Sequence, residues 1–285
     1  MEEVPHTIFV RHSMTITEDA LSELRDEGRI AIHHKDSPST TPAHYDGRGE
    51  TEMQTLNDVA DDGAAVTAYY ADLNSSEMLV GTIEPQDIEV RRFPHEEKEG
   101  EERIYKTLQF DESKVVTFQD CPVLFTAHSR QGWSICNWRN ASEQARAIAL
   151  GNPLSRTVGS LSSGQLETLC ERYLYIERPD YFTVIPVGGE LKDVDIAGHD
   201  NGSEVVSQVT HSRSSKETQD KLDALEQYIE PDTEVMFFGY EKHLEDSSVD
   251  VHPDIQYKPI QKVFEAVDDD AKGSRMISEM LEVPA

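Results

Sequence analysis

Cysteine is scarce in this chain: Cys121, Cys136 and Cys170 are the three in 285 residues. Three thiols make no even-numbered disulfide framework, and these stand at no metal-ligand spacing. A disulfide-stapled secreted scaffold is therefore excluded, and a reducing compartment is expected. Long apolar runs are missing too, so no segment reaches the ~20 residues of a membrane-crossing helix. The opening Met1-Glu2-Glu3-Val4-Pro5 has neither the basic nor the apolar region of a secretory leader. These features predict a cytoplasmic protein with no membrane partner. Bases are the third scarcity: 26 Lys and Arg stand against 55 Asp and Glu, a formal net charge of −29.

Such an excess of acid ordinarily argues against a phosphate backbone as partner. Here the acids are spread along the whole chain rather than gathered in a tail, and Arg slightly outnumbers Lys. The pattern is similar to the acidic composition of haloarchaeal proteins, in which dense surface carboxylates maintain hydration in a high-salt cytoplasm. On that reading global charge does not exclude a nucleic-acid partner, and only the local charge at a site decides. In molar salt counterion release contributes little, so recognition has to lean on stacking and hydrogen bonds. Hydrophobic residues make up 37% and aromatics 7%, enough to bury real cores, and the length suits two domains.

Residues 1–150 read as a β-rich module. Thr17 is a plausible N-cap for a helix over 18–26 that ends at Gly28. Residues 53–60 form a short helix, and 37–50, rich in Pro, Gly, Ser and Thr, read as a mobile loop. Strands are predicted at 7–10, 29–33, 65–71, 78–84, 88–93, 104–110, 114–118 and 123–126. Residues 133–137 read as strand or helix start, and 142–150 as helix. Many short strands between turn signals suggest a small barrel or curled sheet. The segments Gly151-Asn152-Pro153 and Gly159 to Gly164 mark a joint between domains. Beyond it Leu166, Leu169, Cys170, Tyr173 and Leu174 line one face of a helix capped by Ser162 or Ser163. Strands at 181–187, 194–197 and 204–210, a helix over 215–228 and a continuously apolar strand at 235–239 follow. A weak strand at 255–257 and terminal helices complete residues 160–285. The fold class is mixed α+β or α/β, with α-β-β-β-α-β order in the second half.

The stretch richest in chemistry is Gly188-Gly189-Glu190-Leu191-Lys192-Asp193-Val194-Asp195-Ile196, followed by Gln208-Val209-Thr210. Strand alternation puts every second side chain on one face. With Leu166-Glu167-Thr168-Leu169 on the preceding helix, these segments resemble the core of PD-(D/E)xK nucleases. The similarity is to the Mrr-like branch of restriction endonucleases, where Gln replaces the second acid. It covers residues 160–240. The resemblance implies a restriction-endonuclease-like domain in which Asp195, Glu167 and Gln208 hold Mg²⁺ for phosphodiester hydrolysis. It also implies a Lys two residues after Gln208, to orient water and stabilise developing charge. This chain has Thr210 there, a neutral hydroxyl that cannot do so. Lys216, Lys221 and Lys192 are the candidates to replace it.

In the first half Val80-Gly81-Thr82-Ile83, Tyr105-Lys106-Thr107-Leu108-Gln109 and the 133–138 stretch resemble PUA-like and EVE-like barrels. That similarity implies a reader of modified or flipped bases, with Trp133, Trp138, Tyr69 and Tyr70 as stacking residues. The function expected is a Mg²⁺-dependent DNA endonuclease of the Mrr-like type, a hydrolase directed at modified DNA in cellular defence. The competing class is a catalytically inactive nuclease-fold protein that binds nucleic acid or a protein partner. A homodimer is left open.

Overall fold

The computed structural model describes residues 6–12, 17–70, 76–95, 98, 100–126, 133–138, 141–185 and 193–282. It is a mixed α+β structure with three sheets. The chain divides after Leu154, and the second compact unit is Ser155–Leu281.

The first unit begins with β1 (His6–Arg11), α1 (Glu18–Asp26) and β2 (Arg29–Ile32). Thr17 caps α1, its hydroxyl accepting the Ala20 N–H at 3.4 Å. Gly28 follows the helix at φ +63°, a conformation that favours glycine. Next come α2 (Arg48–Asp62), β3 (Ala64–Tyr69), β4 (Glu77–Ile83), β5 (Glu89–Pro94), β6 (Glu102–Gln109) and β7 (Glu112–Thr117). The unit ends with α3 (Pro122–Thr126), β8 (Ile135–Asn137) and α4 (Ser142–Leu150).

Five strands form one sheet in the order β7-β4-β3-β1-β8, and three form another, β2-β6-β5. Within the larger sheet β1 and β3 are parallel, so the chain between them must cross over. Ile8 and Val10 face one core with Leu21, Leu56 and Leu108; Phe9 faces another with Val116, Leu124 and Trp138. A sheet covered on both faces buries both sides of its inner strands, as in β3, where Ala64 to Ala68 are all buried.

Several expectations are corrected here. No closed barrel forms among the described residues: the strands of the first unit fall into two open sheets, and the end strands β7 and β8 of the larger one do not pair with each other. Residues 123–126 are helical rather than extended. Pro122 starts that turn, where its missing N–H costs nothing. The 37–50 stretch is not a bare loop. It holds a 3-10 turn, Pro42–His44, and the start of α2, and it is tied down by Asn57 Nδ2 donating to Thr40 O at 2.9 Å.

The second unit contains α5 (Ser163–Glu177), β9 (Phe182–Ile185), β10 (Ile196–Asp200), β11 (Ser203–Val209) and α6 (Ser215–Leu225). After α6 come β12 (Thr233–Gly239), β13 (Ile255–Pro259), α7 (Ile260–Asp269) and α8 (Ala271–Met280). Ser162 and Gln165 make a reciprocal capping box at the start of α5. The sheet order is β13-β12-β11-β10-β9. Strands β9, β10 and β11 form an antiparallel meander, and α6 carries the chain across to β12, parallel to β11. Val206, Val235 and Phe237 pack with Leu222 and Leu225 of α6, while Phe238 meets Tyr173 of α5 at 6.1 Å. Alternation along β12 thus sends the two helices to opposite faces. At Gly198 a Cβ would collide with Phe182 O, so β9 and β10 approach there only because the side chain is absent. No described helix is long and apolar enough to cross a membrane.

Candidate functional site

The residue before β10 is Asp195, and its N–H donates to Ser207 O of β11 at 3.0 Å. Its carboxylate Oδ2 accepts the Val209 N–H at 2.7 Å and the Gln208 Nε2 at 3.3 Å. Asp195 and Gln208 therefore meet side chain to side chain across neighbouring strands. Gln208 is 2% exposed. A carboxylate only accepts, so the amide must turn its nitrogen to Asp195. That leaves Gln208 Oε1 buried with no partner. An unsatisfied buried acceptor costs ~1–3 kcal/mol, so this oxygen is where a cation or a donor would be welcomed.

Two helices bring charge to the pair. Lys221 of α6 donates from Nζ to Val209 O at 3.1 Å. Glu167 of α5 has its carboxyl pushed up to about 7, first by burial and then by the negative charge of Asp195, with the Lys221 ammonium pulling the other way. The Cys170 thiol, fully buried one turn along α5, is pushed well above its ordinary value by burial, then by Asp195 and Glu167. Asp195, Gln208, Glu167 and Lys221 thus form one electrostatic group.

The other candidates sit elsewhere. Lys216 is exposed on the first turn of α6. Five residues separate it from Lys221, about 140° around the helix, so the two amines do not face the same side. Thr210 is fully buried. Its N–H donates to Phe238 O at 2.9 Å and its hydroxyl accepts the Ser212 N–H at 3.2 Å. Asp193 is half-buried in the turn before Asp195. The Gly188-Gly189 pair and Lys192 lie outside the described residues.

Among the described residues no group of three or more His, Cys, Asp and Glu is placed to hold a metal. The donors offered here are two carboxylates and one amide oxygen. Such a set suits Mg²⁺, which uses one or two carboxylates and completes its octahedron with water. The orphaned Gln208 Oε1 and the proton-hungry Glu167 are both features a cation would relieve.

The four aromatic residues expected to stack on a base are divided between two cores. Tyr70 is 3% exposed, stacks on His12 at 4.0 Å and donates its hydroxyl to Arg29 O at 2.6 Å. Trp138 is 2% exposed and lies 4.9 Å from Phe9. Tyr69 and Trp133 are half-buried against the Trp138 core. Consecutive residues on a strand face opposite ways, so Tyr69 and Tyr70 cannot line one pocket.

A polar cluster escaped the sequence reading. Glu52 of α2 is fully buried; it accepts His34 Nε2–H at 2.5 Å and the Ser134 N–H at 3.1 Å. Lys106 of β6 is fully buried as well, with Nζ 3.4 Å from His34 O and 5.4 Å from the Tyr45 ring centroid. The signal was present: Glu52 shares a helix face with Leu56 and Val59, and Lys106 alternates with Ile104 and Leu108.

No protein-family model matches the chain, and neither a curated protein nor a solved structure matches it.

Proposed function

We propose that the second unit is a Mg²⁺-dependent phosphodiesterase acting on DNA, with a restriction-endonuclease-like core of the Mrr type. The observation that carries the reading is the contact of Asp195 with Gln208, with Glu167 and Lys221 brought to the same pair. The order α5-β9-β10-β11-α6-β12 is that of the nuclease core and supports it. Asp195 Oδ2 is held by the Val209 N–H, which leaves its other oxygen for a ligand. Asp195, Glu167 and Gln208 Oε1 would hold the ion. Bound there, the ion would polarise the phosphoryl oxygen and make a bound water more acidic. Glu167 would serve as one of the ligands of that ion, which would favour its ionised form. The Lys221 ammonium opposes the charge that builds on the phosphoryl oxygens.

The test is cleavage of plain and modified DNA in molar KCl with Mg²⁺. Asp195→Ala should abolish it, and Gln208→Ala and Lys221→Ala should weaken it. A wild-type chain that binds no Mg²⁺ and cuts neither substrate sinks the enzyme reading. One observation favours the runner-up, a non-catalytic nucleic-acid or protein binder. Lys221 is occupied by a backbone carbonyl and the Gln208 amide by Asp195, an arrangement that also serves as structure alone.

A further inference from the structure

The second unit contains five arginines, and the way they are partnered is uneven. Arg156 pairs with Asp268, Arg172 with Asp270, Arg178 with Glu234 and Asp200, and Arg275 with Glu279. Arg213 pairs with no carboxylate among the described residues. Its guanidinium instead stands 6.0 Å from the centre of the Tyr240 ring. Exposed Lys216 and Lys242 have no ion pair among the described residues either, and Lys242 Nζ donates to Arg213 O at 2.8 Å. Lys258 and Lys272 of this unit also have no ion pair among the described residues, but Arg213 and Lys216 lie three residues apart and Lys242 reaches the Arg213 carbonyl, so these cations are grouped.

The segment that carries Arg213 and Lys216, Thr210 to Lys216, follows directly on Gln208 and Val209, while Lys242 comes from the 3-10 turn Glu241–His243 after β12. It is ordered by its own polar groups. The Ser212 N–H donates to Thr210 Oγ1 at 3.2 Å, and the Ser214 N–H to Ser212 Oγ at 3.0 Å. From below, fully buried His243 donates Nε2–H to Ser212 O at 3.2 Å. Ser214 then caps α6, an 11-residue helix whose positive end faces the same segment. Two side chains more than nine-tenths buried here keep a polar atom without a partner, the Tyr240 hydroxyl and His243 Nδ1. Burial holds His211 below its ordinary proton affinity, against its bond to Leu161 O, and the Arg213 guanidinium adds a smaller push in the same direction as burial. Acids are not absent: Glu217 accepts the Ser212 hydroxyl, Asp246 accepts the Ser215 hydroxyl, and Glu241 pairs with Lys262. All three are engaged, and none takes a charge from Arg213, Lys216 or Lys242.

We propose that Arg213 on the turn between β11 and α6, Lys216 on the first turn of α6 and Lys242 on the turn after β12 bind the phosphodiester backbone of DNA next to the Asp195–Gln208 pair. This rests on the nuclease-fold reading of that pair. A planar guanidinium placed 6.0 Å from the centre of the Tyr240 ring offers a phosphate directional hydrogen bonds, which survive salt better than diffuse charge does. The loop would set which phosphate lies at the site, while Asp195, Gln208, Glu167 and Lys221 act on it.

The experiment is fluorescence anisotropy with a labelled DNA duplex, in the Asp195→Ala background so that binding is read without cleavage. It is run across a KCl series in which circular dichroism shows the fold intact. Replacing Arg213, Lys216 and Lys242 together by Gln should weaken binding roughly tenfold or more. It should also flatten the slope of log affinity against log salt by about 0.9 for each phosphate that is no longer neutralised. Lys272→Gln, an exposed lysine on α8, is the control and should change neither. A triple variant that binds with wild-type affinity and slope overturns the proposal, as does a parent that binds no duplex at all. Cleavage by the chain with Asp195 intact is scored separately. Loss of binding in the triple variant without any cleavage by the wild type keeps this surface and removes the nuclease reading. Cleavage with binding indifferent to the triple change does the reverse.

Discussion

Replacing Glu167 by Gln tests the electrostatics of the candidate site without reference to any substrate. The carboxyl is raised from 4.5 to about 7, chiefly by burial and secondly by Asp195. In the unfolded chain both influences vanish. Below the unfolded value the group is protonated in both states and costs nothing. As pH rises through 4.5 the unfolded chain releases the proton while the folded one keeps it, so stability falls until about 7, where the folded group ionises too. The whole shift corresponds to about 3 kcal/mol. Glu167 is only half-buried, and water screens part of the interaction, which brings the expectation to roughly 1–2 kcal/mol. Gln has nearly the same shape and never ionises. Urea unfolding in molar KCl should therefore show Glu167→Gln more stable than wild type by that amount at about pH 8, and equal to it near pH 4. Mg²⁺ should narrow the gap at the higher pH by stabilising the wild type, because a cation favours the ionised carboxylate. A difference between the two proteins that is constant across pH would refute the reasoning.

Four further outcomes follow from other parts of the chain. Melting temperature should rise with KCl, because 55 acids repel one another when unscreened; a salt-independent melting point rejects the high-salt explanation of the acidity. His12 is fully enclosed and pushed down to about 4 by burial, so it favours the fold above the ordinary value of 6.5, and that support fades between 6.5 and about 4. An imidazole carbon resonance that titrates near 6.5 in the folded protein would contradict this placement. Glu52→Ala strips the acceptor from His34 and from the Ser134 N–H and should cost about 2–3 kcal/mol in urea unfolding, whereas a change under 0.5 kcal/mol would mean the cluster is not closed as drawn. Thr210→Lys forces a long side chain into a fully buried position and should cost about 1–3 kcal/mol with no gain in Mg²⁺-dependent cleavage; a variant as stable as wild type that cuts faster would show that the position has room for an amine.

How much of this was legible depended on whether the deciding interaction was local. Helix α1 has the span read from the sequence because Thr17 caps it and Gly28 follows it; α4 does so because Gly151 at φ +64° ends it. The Ser162 cap of α5 and the buried run of β12 were readable for the same reason. Residues 123–126 misled because a four-residue apolar run has no period to distinguish strand from helix. The barrel misled because strand order is not local: nothing near His6–Arg11 announces that β1 pairs with β3 in parallel. The pairing of Asp195 with Gln208 could be anticipated, since one turn joins their strands. That Lys221 rather than Lys216 reaches the Val209 carbonyl could not, because it depends on which face of α6 meets the sheet. The His34–Glu52–Lys106 cluster draws on three elements, with Lys106 lying 72 residues beyond His34, and no short motif spans that.

Thr210 is the point where the chain departs from the pattern it resembles, and on the proposed reading an amine reaches the pair by another route. At residue 210 both the backbone N–H and the hydroxyl are already used, and the side chain has no exposed surface. An ammonium there would have to displace packed neighbours before reaching Asp195. Lys221 avoids that cost by approaching from α6. Its Nζ is fixed by the carbonyl of Val209, the same residue whose N–H fixes Asp195 Oδ2. One residue of β11 therefore holds the carboxylate through its donor and the amine through its acceptor. Val209 is buried between β10 and β12, so neither group can drift without disturbing the sheet. In a strand the N–H and C=O of one residue point to the same side, so the two charged groups are set on that side together. On the proposed reading, fixing a carboxylate and an ammonium to one backbone position would supply the preorganisation that a Lys two residues after Gln208 would otherwise provide.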